Sequence, residues 1–172
     1  MNSIAAGTGA ALIVLASTFP AAATNELLEP DVAFRVVARF VFGEQAGSER
    51  HGIDIDYQIA TGYYLYRDRL RFDIVPPAVL IGAVEFPKAI EKDDPFVGKS
   101  SIYREHVTIH LPFAVSVVPA GRYRIRITAQ GCAEDRFCYS PFKQEVDVNV
   151  PLGYRVADSP PNPSQAVGGS SR

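Results

Sequence analysis

From Phe34 onward, apolar and polar residues alternate with a period of two in short runs, and no segment keeps the i, i+3, i+4 apolar spacing of a long amphipathic helix. Phe34, Val36, Ala38, Phe40 and Phe42 fall on one face of an extended chain, and Ile53, Ile55, Tyr57 and Ile59 do the same in the next run. The polar stretch 43–52, with Gly47-Ser48 inside it, predicts the connection. Within residues 63–75, Leu65, Arg67, Arg69 and Arg71 share one face while Tyr64, Tyr66, Leu70 and Phe72 share the other, which predicts the second as the core face. Pro76-Pro77 ends that strand, because proline cannot donate to a ladder and restricts the residue before it. Further runs at 79–86, 102–111, 122–129 and 145–150 bring the count to about seven short strands with turn signals between them, so the fold class is all-β and the expected architecture is a two-sheet sandwich of immunoglobulin-like type.

The two ends of the chain read differently. Residues 10–16, AALIVLA, form an apolar run of the length of a signal-peptide core, and Ala21-Ala22-Ala23 supplies a small-residue cleavage site. Residues 1–23 are therefore expected to be a signal peptide removed on export, although the segment before the apolar run has no Lys or Arg. The run is too short to cross roughly 30 Å of hydrocarbon, and no later segment offers about 20 apolar residues, so no stable membrane insertion is expected. Residues 24–152 are then the folded domain. The stretch 153–172, rich in Pro, Ser and Gly, reads as a disordered tail or linker.

Composition narrows the function. With 172 residues, 47% hydrophobic and 21% charged, the chain suits one globular core, and a formal charge of -2 offers no broad cationic surface for nucleic acid. No GxxxxGK[ST], GxGxxG or GxSxG run appears, so nucleotide-binding and serine-hydrolase readings lack motif support. No cofactor is implied. His106 and His110 on one strand would stand ~13 Å apart, too far to share a metal, and His51 falls in the polar stretch expected to be solvated.

The chemistry concentrates at Cys132 and Cys138, six positions apart in a segment that follows a predicted strand and reads as a loop or hairpin. A disulfide there closes a ring of about seven residues and is worth roughly 2.4 kcal/mol by loop-closure arithmetic, a modest staple. Spacing alone leaves a structural staple, a redox pair and a metal site open. An oxidising compartment, which export implies, would allow a disulfide to persist.

Three blocks, Gly62-Tyr63-Tyr64-Leu65-Tyr66-Arg67, the run from Phe96-Val97-Gly98 to Tyr103-Arg104, and Gly131-Cys132-Ala133 with Phe137-Cys138-Tyr139, together resemble the N-terminal periplasmic domain of the thiol:disulfide interchange protein DsbD, over residues from about 34 to 150. The resemblance implies an immunoglobulin-like sandwich with a redox cysteine pair and a cap loop at one end. It implies a periplasmic thiol-disulfide oxidoreductase in which Cys138 enters mixed disulfides and Cys132 resolves them. Electrons would pass from a membrane-side thioredoxin-like donor to periplasmic thioredoxin-fold acceptors of the disulfide isomerase or cytochrome c maturation type. Family members continue into a membrane domain and a thioredoxin-like domain, so either a separate membrane electron donor feeds this chain or it is a truncated form.

The family's cap loop carries an Asp-Glu-Phe run whose ring covers the disulfide, and the matching positions are Asp94-Pro95-Phe96, which makes Phe96 the expected cap. Pro95 stands where a carboxylate is expected, leaving Asp94 and Asp93 to tune the thiols, and Ser140 departs from a Pro-Pro pair, which predicts a looser loop after Cys138. Tyr64 and Tyr66 match family tyrosines near the cysteines, and the same residues also suit a sandwich core with hydrogen-bonded hydroxyls. The reading from another class is a non-catalytic envelope β-sandwich that binds a partner and uses the disulfide only as a staple.

Overall fold

The computed structural model describes residues 26–45, 48–77, 81–95, 97–114 and 118–152. The predicted signal peptide 1–23, the predicted tail 153–172, the start of the 79–86 run and Phe96 lie outside the described residues. In chain order a single helical turn α1 (Pro30–Ala33) leads into β1 (Phe34–Gln45), β2 (Ser48–Ile59), β3 (Tyr63–Tyr66) and β4 (Arg71–Val75). There follow β5 (Ile90–Asp94), β6 (Gly98–Tyr103), β7 (His106–Pro112), β8 (Gly121–Ala129), β9 (Gly131–Ala133), β10 (Phe137–Cys138) and β11 (Phe142–Val150).

Period-two alternation places the strands in an immunoglobulin-like sandwich. Two three-stranded sheets, ordered β1-β2-β7 and β11-β8-β4, share one core made by Ile53, Ile55 and Tyr57 on β2, Ile109 and Leu111 on β7, and Tyr123, Ile125 and Ile127 on β8. A five-stranded sheet, ordered β10-β9-β3-β6-β5, joins that core through Tyr63, Leu65, Tyr103 and Ala133. Tyr64, Tyr66, Ile102 and Cys132 form a second, smaller cluster with Cys138 packed against it. Each residue of the second set is a chain neighbour of one in the first, as alternation across a strand requires.

Several expectations change. Residues 63–75 are not one strand: a 3-10 turn at Arg67–Arg69 separates β3 from β4 and sends them into different sheets. The faces of β3 are accordingly reversed, with Leu65 in the main core beside Tyr63 and the Tyr64 and Tyr66 rings in the smaller cluster. The stretch 43–52 is not a long connection, since β1 and β2 stay paired to Gln45–Ser48; ladder bonds are made by the backbone and need no apolar side chain. His51 therefore lies on β2 opposite Phe42, with its ring 5.4 Å from that of Phe42. The 102–111 run divides at Arg104-Glu105, where Glu105 takes φ 58 as the chain passes from one sheet to another. In the 79–86 run, Ile81 and Glu85 make only isolated bridges, to Phe113 and His110. Conversely β5, polar and acidic, is a strand that the alternation did not announce.

Two buried polar groups tie the sandwich. His110 Nδ1 lies 2.7 Å from Asp54 Oδ1 across β7 and β2, while His106 is exposed near Asp56, so the two histidines serve separate carboxylates. Gln144 on β11 accepts from the Tyr57 hydroxyl at 3.2 Å and donates to the Phe34 carbonyl at 2.8 Å, joining β11 to β1 and β2. Replacing Gln144 by Leu strands both partners in the interior and is expected to cost about 1–3 kcal/mol in denaturant titration. Tyr57→Phe, which removes one bond and leaves the Phe34 carbonyl satisfied, is expected to cost less.

Candidate active site

Cys132 on β9 and Cys138 on β10 are direct register partners in an antiparallel hairpin and are joined by a disulfide with Cα atoms 4.0 Å apart. The hairpin turns through Glu134-Asp135-Arg136, with Asp135 at φ 55, a left-handed position that Asp tolerates better than most residues. β9 lies against β3, Cys132 opposite Tyr64 and Gly131 opposite Leu65. Gly131 permits this approach: a Cβ there would sit 2.5 Å from the Tyr64 carbonyl oxygen and 2.6 Å from the Phe34 ring. The two cysteines differ in environment. Cys132 is fully buried, and Cys138 is half-buried.

The second cluster brings polar groups to the sulfurs. The Tyr66 hydroxyl stands 3.2 Å from Cys132 Sγ and 3.8 Å from Cys138 Sγ, and with both sulfurs in the disulfide the O–H is the only possible donor. Tyr64 packs edge-on to Tyr66 with centroids 5.5 Å apart, and its hydroxyl donates to Asp94 Oδ2. Asp94 is buried on β5, and its other oxygen accepts from the Val97 backbone N–H at 3.3 Å. Burial, reinforced by Asp94, holds the Tyr64 hydroxyl protonated far above the ordinary tyrosine range. Burial likewise pushes Tyr66 up to about 12, with Asp94 adding to the shift and the Tyr64 hydroxyl opposing it. Tyr66 therefore remains an O–H donor toward the sulfurs through the physiological range.

Of the residues singled out in the sequence, Cys132, Cys138, Tyr64, Tyr66 and Asp94 come together here. Asp93 does not, because it faces the opposite side of β5 from Asp94 and is exposed. Phe96 lies outside the described residues. The segment after Cys138 is pinned despite Ser140: Tyr139 N–H donates to the Gly131 carbonyl at 3.0 Å and the Tyr139 carbonyl accepts from Gln130 at 3.1 Å. Three residues escaped the sequence reading. Arg104 donates to both carboxylate oxygens of Glu134 at 2.7 and 2.5 Å, and Lys92 Nζ lies 3.4 Å from Glu134. The available signal was positional, since Glu134 lies within the cysteine ring and Arg104 closes the second of the three quoted blocks.

Comparison with known proteins agrees with this geometry. The family model "Thiol:disulfide interchange protein DsbD, N-terminal" matches residues 24–150. The chain belongs to the DsbD N-terminal domain family. It is 34% identical to DsbD of Shigella flexneri serotype 5b over 152 residues, and 33% identical to DsbD of Escherichia coli K12 over 147 residues. Those matches cover 88% and 86% of the chain but only 25% and 24% of the relatives, so the chain spans about a quarter of their length. Among solved structures it resembles the reduced DsbD N-terminal domain of Neisseria meningitidis, with TM-score 0.60, 32% identity, and coverage of 75% of this chain and 94% of that one. The DsbD domain in a complex with the PilB N-terminal domain, from the same organism, matches with TM-score 0.57 and 31% identity, over 72% of this chain and 88% of that one.

Asp94 is the buried carboxylate that accepts from the Tyr64 hydroxyl. Among the described residues no group of three or more His, Cys, Asp or Glu side chains could hold a metal ion, and no helix is long and apolar enough to cross a membrane.

Two measurements probe this local structure. Gly131→Ala is expected to lower stability by several kcal/mol in denaturant titration, because the new methyl meets backbone and a packed ring rather than a flexible tip. The Arg104 hydrogen bond, ahead of smaller contributions, holds the Glu134 carboxyl below its usual value of 4.5. A depressed folded-state pKa gives stability that is complete above the unfolded value and disappears as pH falls through the folded one. Glu134→Gln should therefore be less stable than the parent near neutrality, and in a pH series of thermal melts the difference should begin to shrink as pH falls past about 4.5 and vanish only below the depressed folded-state value.

Proposed function

We propose that this domain is a periplasmic thiol-disulfide oxidoreductase that relays electron pairs between thioredoxin-like proteins through Cys132 and Cys138, without a cofactor. The observation that carries the reading is the unequal burial of the two cysteines within one hairpin, beside a tyrosine hydroxyl that remains protonated. An incoming donor thiolate attacks Cys138 Sγ, the Cys132–Cys138 bond breaks, and Cys132 leaves as thiolate. The Tyr66 O–H is positioned to stabilise that leaving group, since exchange quickens as the leaving thiol becomes more acidic. The donor's second thiolate then releases Cys138, leaving the domain with two electrons and two protons more. Outward transfer reverses the roles: Cys138 thiolate attacks the acceptor disulfide, and Cys132 attacks Cys138 Sγ to expel the reduced acceptor.

In this reading Asp94 orients Tyr64, and through it Tyr66, while Phe96, the cap residue that the family resemblance implies, covers the disulfide until a specific partner displaces it. Residues 1–23 direct export, 24–152 form the working domain and 153–172 a linker or tail. The donor is a membrane-side thioredoxin-like domain, and the acceptors are thioredoxin-fold proteins of disulfide isomerase or cytochrome c maturation type. A relative solved in reduced form supports a pair that cycles, and a relative in complex with the PilB N-terminal domain supports protein partners.

The test is the reduction potential of the pair, measured on residues 24–172 by equilibration in thiol-disulfide buffers with alkylation and mass readout. A value between about -180 and -270 mV is expected of an exchange protein, whereas one below about -300 mV marks a structural disulfide and rejects the reading. Cys138→Ser should abolish transfer to a thioredoxin-like acceptor, and Cys132→Ser should trap the mixed disulfide at Cys138. For the cap, Phe96→Ala is expected to speed reduction by dithiothreitol without shifting the potential.

A further inference from the structure

Lys92 lies on β5 and Glu134 at the turn of the β9–β10 hairpin, with β6 and β3 between them in the sheet. Their side chains nevertheless meet at 3.4 Å, so the row they complete crosses the sheet from one outer hairpin to the other. Arg104, just past β6, braces the pair through two bonds to the same carboxylate. Tyr64 forms the surface beneath, with Lys92 Nζ and Arg104 Cζ each 5.3 Å from its ring centroid. The side chains of Lys92, Arg104 and Glu134 are 18%, 28% and 33% exposed, sheltered enough for charge to matter and open enough for salt to reach. None of the three belongs to the main core.

Two features give this row a consequence for the disulfide. Glu134 lies inside the ring that Cys132 and Cys138 close, so the tie starts on the redox hairpin itself. Lys92 is two residues before Asp94, and alternation puts both on one face of β5. Beyond the backbone ladder of β6 to β3, two side chains of β5 fasten the outer strand of the hairpin to the same neighbourhood, Asp94 by a buried hydrogen bond to Tyr64 and Lys92 by an ion pair to Glu134. Of the two, the ion pair is the more readily exchanged for other charges or for water.

We propose that the Lys92–Glu134 contact, braced by Arg104, is an electrostatic latch that holds the β5–β6 hairpin against the cysteine hairpin and so limits access to Cys138 Sγ. Lys92 and Glu134 are positioning residues, touching neither sulfur. The inference rests on the exchange reading above, because a latch matters only if the disulfide is attacked from outside.

The experiment is stopped-flow reduction of the oxidised domain by tris(3-hydroxypropyl)phosphine, which attacks the disulfide as a neutral nucleophile, so that its encounter rate is insensitive to salt. Lys92→Met should raise the second-order rate roughly two- to fivefold, the factor expected of a partly exposed ion pair, and Lys92→Arg should return it to the parent value. The parent rate should climb with added sodium chloride while that of Lys92→Met stays flat. A Lys92→Met rate equal to the parent's at low salt, with Phe96→Ala accelerated, overturns the latch and leaves the cap reading intact. If neither variant is accelerated, both fall. Acceleration in Lys92→Met that Lys92→Arg does not reverse also overturns it, since packing rather than charge would then be responsible.

Discussion

Strand β3 has hydrogen-bonded neighbours on both edges and packed side chains on both faces, and the site depends on that double constraint. Its four residues are all buried, although the strand is only Tyr63–Tyr66. One edge pairs with β6 and the other with β9, so the same short segment positions the β5–β6 hairpin and the cysteine hairpin. Tyr63 and Leu65 are held by the sandwich core, and that packing fixes their neighbours Tyr64 and Tyr66 on the reverse side. The Tyr66 hydroxyl is therefore placed near the sulfurs by a rigid element rather than by a loop, the arrangement that holds reactive groups in register best.

The electrostatics divide into an inner and an outer layer. Inside, the Tyr64 hydroxyl donates to Asp94 and the Tyr66 hydroxyl faces the sulfurs, and both tyrosines are kept protonated by burial. Outside, Lys92, Arg104 and Glu134 form a solvent-reachable group over the Tyr64 ring. The inner layer acts over hydrogen-bond distances and is insulated from ionic strength, whereas the outer one responds to it. Tyr64 belongs to both, through its hydroxyl and through its ring face.

Much of the sandwich is legible in alternation, because strands such as β2 and β8 bury every second side chain in one large core. The same rule misassigned β3. A strand covered on both faces has no polar side, and the 3-10 turn at Arg67–Arg69 resets the phase before β4, so extrapolating one alternation through residues 63–75 inverted it. β5 was invisible for the opposite reason: Glu91, Lys92 and Asp93 carry no apolar signal, and the strand exists through backbone pairing to β6. At the site, the cysteines, the tyrosines and Asp94 could be picked out through family resemblance. Lys92 and Arg104 could not, since their meeting with Glu134 is a product of how the sheet brings distant strands together, and no spacing along the chain encodes it.

The direct register of Cys132 with Cys138 has a kinetic meaning. Ala133 pairs with Phe137 on one side of the bridge, and the Tyr139 N–H binds the Gly131 carbonyl on the other, through backbone contacts that do not involve the sulfurs. With its strands so clamped, a reduced hairpin keeps each thiol at an effective concentration, as seen by its mate, far above that of any thiol in free solution. In the exchange proposed above, a covalent adduct on Cys138 would thereby be short-lived by construction. A partner that failed to complete the second exchange promptly would be expelled by ring closure, so that occupancy would be limited by the hairpin's geometry rather than by how tightly the visitor binds.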